Sequence, residues 1–160
     1  MYELWLFLHV LGAIAAFGFG FYAPIFGMAA AREPEHGNWY MRASKRVSNG
    51  VLIPVAISMA ITGTLLVVET GGMRRFEQLW LTTSLVLYVV ALGIIFLAQR
   101  PALAKVIELT SGPPAPAGPP APAGPPAEVP ALLRRLRLLG YVLLLLVIAI
   151  VALMVWKPVL

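Results

Sequence analysis

Four stretches of almost unbroken apolar residues, Leu4–Ala23, Val51–Val68, Leu79–Ala98 and Leu138–Trp156, punctuate the chain, and nearly all of its charges fall between them. Each is about long enough to cross a hydrocarbon core of roughly 30 Å as a helix. Backbone groups in lipid have no water to bond, so the chain must satisfy them itself, and for stretches of this length the α-helix does so. The pattern predicts an all-α fold: an integral membrane four-helix bundle, up-down-up-down, forming one domain over residues 1–160.

The first helix is expected to run past its membrane length to Ala31, giving spans of about 4–31, 51–68, 79–98 and 138–156. Within it Gly12, Ala16 and Gly20 recur every four residues and share one face. Small-residue faces let helix backbones approach closely in lipid, where packing drives association. This one reads as an internal seam, with a dimer face as the alternative. Ala56, Ala60 and Gly63 or Thr64 give the second span a similar face, so these two helices are expected partners. Pro24 cannot donate to the Gly20 carbonyl, and a kink is expected at that depth.

Composition agrees: 60% of residues are hydrophobic and only 12% charged, far from the balance of a water-soluble domain. The chain has no cysteine, which excludes disulfides, thiolate chemistry and cysteine-ligated metal centres. Its net charge of +5 sits in loops beside the spans, where the expected partners are anionic lipid headgroups rather than nucleic acid.

Those charges also orient the bundle. Arg32, Arg42, Lys45 and Arg46 follow the first span, and Arg100, Lys105, Arg134, Arg135 and Arg137 lie between the third and fourth, against Arg74, Arg75 and Lys157 on the other side. The positive-inside rule then puts both termini outside and the larger set in the cytoplasm. Trp5, Trp80 and Trp156 fall at the expected outer interface, with Trp39 and Tyr40 near the inner one. A signal peptide cleaved near Ala29-Ala30-Ala31 is the competing reading of the first span. Its acidic start at Glu3 and long apolar run favour an uncleaved helix.

The segment 111–130 differs in kind. The hexad Gly-Pro-Pro-Ala-Pro-Ala begins at Gly112 and Gly118 and starts again at Gly124. It is expected to form a cytoplasmic spacer of polyproline character without helix or sheet, flanked by helical extensions of the third and fourth spans.

Chemistry has few places to reside. His9 lies about 7–8 Å below the outer boundary, counted at helical rise. Ionisable groups at such depth are costly and face the bundle interior. Thr62 and Ser84 come out at about the same depth, an expected polar layer. His9 admits three readings: a structural hydrogen bond, ligation of haem iron or copper, or proton handling. The other histidine, His36, lies across the membrane, so a haem b would need Met154, Lys157 or a partner as second ligand, or none. Both residues also have plain roles, as packing filler and as interfacial anchor. No catalytic set and no metal cluster is visible, and the methionines show no ladder for copper transport.

Leu8-His9-Val10-Leu11-Gly12-Ala13, Ile53-Pro54-Val55-Ala56, Thr62-Gly63 with Leu65-Leu66-Val67, and Leu153-Met154-Val155-Trp156-Lys157-Pro158 occur in this order. Together they resemble the bacterial predicted integral membrane proteins of domain-of-unknown-function family 2269. The resemblance covers the spans and skips the proline-rich segment. It implies a four-helix multi-pass protein, in a bacterial inner membrane, without an assigned activity. A looser similarity of the Leu-His start extends to copper-resistance D-type membrane domains and to four-helix haem-containing protoporphyrinogen oxidases. The latter imply a first-span histidine, which His9 matches, and a third-span lysine, which Leu79–Ala98 lacks; Lys105 lies beyond that span.

Two functional classes stand ahead of the rest. One is a non-enzymatic accessory or structural bundle with a membrane-protein partner or a second copy of itself. The other is a haem-linked redox protein centred on His9, and a small-solute or copper permease is the remaining alternative.

Overall fold

Helical hydrogen bonding runs through nearly every residue of the computed structural model, which describes residues 1–71, 78–111 and 128–157. Helix α1 is Tyr2–Arg32, α2 Gly37–Val47, α3 Ile53–Glu69, α4 Leu79–Gly93, α5 Arg100–Thr110 and α6 Glu128–Trp156. Wider π turns at Ser48–Leu52 and Ile94–Gln99 carry α2 into α3 and α4 into α5 without a break. The described residues therefore form four rods, the middle two being Gly37–Glu69 and Leu79–Thr110.

Each wide turn runs into a proline, Pro54 or Pro101, in the first turn of the next helix. Proline has no N–H to offer the carbonyl four residues back, and widening the turn passes that carbonyl to the following N–H. Pro24 is absorbed differently, inside the continuous helix α1.

Neighbours pair in opposite directions. His9 meets Thr62 and Gly12 meets Met59, so α3 descends as α1 rises. Gly20 meets Leu144, and Ala30 shares a cluster with Val129, which makes α6 antiparallel to α1 as well. Helix α4 packs on α6, whereas among the described residues α3 and α4 make no close backbone approach. That open seam is crossed by Tyr88 on α4, whose hydroxyl donates to the Ala56 carbonyl on α3.

Rods of 29 to 33 residues reach about 43–50 Å, well beyond a hydrocarbon core of roughly 30 Å. The surplus length builds the core. Ala30, Met41, Leu103, Val106 and Val129 are all buried at the charged end, with Tyr40, Ile107 and Leu133 packed against them. Within the spans, large side chains such as Ile14 and Leu97 face outward, as expected where lipid is the solvent.

Two boundaries differ from the hydrophobic pattern. The second rod begins at Gly37, well before the apolar run at Val51, because α2 is amphipathic and turns Met41 inward and Arg42, Lys45 and Arg46 outward. Asn38 fixes it to α5, donating to Thr110 Oγ1 at 2.7 Å and to the Ile107 carbonyl at 3.3 Å while accepting from Arg42 Nε at 2.6 Å. The last rod begins at Glu128, so Val129 and Pro130, expected in the spacer, are helical. Proline is tolerated there because first-turn N–H groups have no helical acceptor, and burial of Val129 anchors the turn. Residues 112–127 of the expected spacer lie outside the described residues, as do Arg74 and Arg75.

Met41→Ala removes side-chain volume from this end core and is expected to lower unfolding free energy by about 2–4 kcal/mol. Leu97→Ala, on a side chain that is 82% exposed, should change it little. Denaturant unfolding in mild detergent checks the pair, and equal losses would mean that the core lies elsewhere.

Candidate functional site

A histidine inside a span must find its partner within the protein. His9 is half-buried on α1 and turns its ring towards α3, where Nδ1 lies 3.1 Å from Thr62 Oγ1. The Thr62 hydroxyl lies 2.8 Å from the Ser58 carbonyl, one turn back in its own helix. A hydroxyl has one proton. Once that proton is donated to Ser58, the Thr62 oxygen can only accept, so Nδ1 carries the hydrogen and Nε2 is left with a lone pair.

Gly63 makes this approach possible. A Cβ at that position would sit 3.1 Å from His9 Cε1, closer than carbon atoms comfortably pack. Glycine at 63 and threonine at 62 thus form one seat, the first giving room and the second a bond. The face of α1 that includes Gly12 and Gly20 is shared between two partners. A Cβ at Gly12 would lie 2.7 Å from Met59 Cγ on α3, and one at Gly20 would lie 2.9 Å from Leu144 Cδ1 on α6. Ala16, on the same face, is half-buried.

Ser84 is 2% exposed and donates to the Trp80 carbonyl at 2.7 Å, within its own helix. Met154 is half-buried near the end of α6. Lys157 caps α6 in a left-handed backbone conformation, φ 42°, with its N–H on the Leu153 carbonyl at 3.0 Å. Its ammonium sits 5.8 Å from the centroid of the Trp80 ring on α4, an attraction between a cation and the negative face of the indole. The structure thus joins His9 to Thr62 and directs Lys157 to Trp80. His36, at the charged end, lies 3.7 Å from Glu33. Among the described residues no three histidine or carboxylate side chains are placed to hold a metal ion.

Three participants escaped the sequence reading. Gly63 was legible as a small residue but not as the seat of an imidazole, because that depends on what faces it. Tyr88 carried a usable signal, since a phenol inside a span needs an acceptor. Tyr22 is the third, its hydroxyl enclosed without a partner among the described residues.

Were a haem bound, His9 is the described residue within a span whose imidazole would hold the iron, and the group would supply redox chemistry. Imidazole ¹⁵N NMR of the protein in micelles should show His9 protonated at Nδ1 and bare at Nε2, and Thr62→Val should shift the Nδ1 signal and cost about 1–3 kcal/mol of stability. The opposite tautomer in the wild-type chain would refute the hydrogen-bond assignment.

Residues 3–158 match the model of a family described as predicted integral membrane protein (DUF2269). No curated protein and no solved structure matches the chain. Nearly the whole bundle, from the first turn of α1 through the Lys157 cap, falls within that match, and the chain belongs to the DUF2269 family of predicted integral membrane proteins.

Proposed function

We propose that this protein is a non-enzymatic accessory or structural component of a membrane, a four-helix bundle that presents lipid-facing surfaces to a membrane-protein partner or to a second copy of itself. The observation that carries this reading is the use made of His9, the histidine that lies well inside a span, as a fastener between α1 and α3. The neighbouring hydroxyls are occupied in the same way: Ser58, Thr62, Thr64 and Ser84 each donate to a carbonyl of their own helix. No convergent reactive set is left among the described residues of the spans. We place the nine cations of the charged end in the cytoplasm against anionic headgroups, with both termini outside, on the asymmetry of Lys and Arg.

One observation favours a second reading, a haem-linked redox protein. An imidazole whose Nδ1 is fixed by a neighbouring hydroxyl has the second-partner arrangement of a ligating histidine, which would bind through Nε2. His9 would then hold the iron from one side, and the bound haem b would supply electron transfer.

An absorption spectrum, oxidised and reduced, separates the two. Protein purified in mild detergent from cells supplied with haem precursor is expected to be colourless, and His9→Ala to lose about 1–3 kcal/mol of stability through the orphaned Thr62 contact and the space left at Gly63. A stoichiometric Soret band that vanishes in His9→Ala would replace the first reading with the second.

A further inference from the structure

A cleft opens where three rods cross the charged boundary of the membrane. Its polar groups are Tyr22 of α1, Ser44 of α2, Ser48 and Gln99 of the two π turns, and Arg100 of α5, and the rest of its wall is apolar. Tyr22 lies about 20 residues along its rod from Tyr2, Ser48 about 20 from Glu69 and Arg100 about 20 from Trp80, so all three stand about 30 Å from the opposite boundary. That is the edge of the hydrocarbon core, where the headgroup region begins.

These side chains are unlike the other polar groups of the bundle. Ser58, Thr62, Thr64, Ser84 and Thr110 all return their hydroxyl protons to a carbonyl three or four residues back. Ser44 and Ser48 do not, and neither they nor the Gln99 amide hydrogen-bond to a described residue. Tyr22 Oη is enclosed with no partner among the described residues, a costly state for a buried hydroxyl. The Arg100 guanidinium rests 5.3 Å from the centroid of the Phe96 ring and has no ion pair among the described residues. No carboxylate lines the cleft. Hydroxyl, amide and guanidinium donors, one net positive charge and headgroup depth together describe a receptor for a phosphate group.

We propose that this cleft binds phosphate, either the phosphodiester of an anionic lipid headgroup or a free phosphate anion. Arg100 provides the charge, Ser44, Ser48 and Gln99 bond the outer oxygens, and Tyr22 gives the deepest bond. In the empty cleft nothing the size of water reaches Tyr22 Oη, so the occupant parts the walls as it enters. The two π turns bordering the cleft are where the helices already depart from regular bonding, and they are where it yields.

The test follows melting of the full-length protein in phosphatidylcholine nanodiscs, with phosphatidylglycerol added in one series and inorganic phosphate in another. A saturable rise in melting temperature is expected, with half-saturation weakened about tenfold by Arg100→Gln and by Tyr22→Phe, since each removes one bond to the anion. Tyr22→Phe without added ligand should melt at or above the wild type, because it deletes an unsatisfied group, so a weaker response in that variant cannot be blamed on misfolding. A response to phosphatidylglycerol alone identifies a lipid headgroup, and an equal response to inorganic phosphate identifies a free anion. No response in either series overturns the proposal. So does a response that Arg100→Gln and Tyr22→Phe leave intact, or that Arg134→Gln, outside the cleft, weakens as much.

Discussion

Hydrocarbon offers no hydrogen bonds, and every polar group that enters it must bring a partner or find one in the protein. The bundle is ordered by this requirement more than by burial of apolar surface, since lipid is as apolar as leucine and drives no helices together by itself. Backbone groups meet it by helix formation, with wide turns where Pro54 and Pro101 withhold a donor. Most hydroxyls meet it within their own helix. His9 and Tyr88 cannot reach back along theirs in the same way, and they become polar ties to α3, one from α1 and one from α4.

Apolar burial returns as an organising force beyond the membrane. Where the rods emerge at the charged end, Met41, Leu103, Val106 and Val129 are buried among one another as in a water-soluble protein, and Asn38 binds α2 to the end of α5. Two solvents thus act on one set of helices, and each part of the bundle is held by the interaction that its own solvent rewards.

How much of this could be read from sequence follows from the same division. The spans were legible because lipid demands long uncharged runs, and such runs contrast sharply with their flanks. Their true helical ends were not: α2 is polar by composition and helical by amphipathic fit, and Pro130 looks like spacer until Val129 is seen to be buried. Counting rise per residue places Thr62 and Ser84 level with His9, but depth carries no information about direction around the axis. Thr62 faces the imidazole, while Ser84 bonds to its own helix. Gly63 was the hardest to interpret, because the meaning of an absent side chain lies in the neighbour that fills its place.

Helix α1 is flanked by α3 on one side and α6 on the other, and its small residues are divided between them. During synthesis the ribosome delivers these partners at very different times. Gly12 and His9 can be matched as soon as the second rod enters the membrane, whereas the surface around Gly20 waits for the fourth. Until then α1 is half-clothed, with one face docked and the other open to lipid or to an assisting protein. The bundle is therefore closed by its last rod, and a chain interrupted before that point would display an unfinished seam on its first helix.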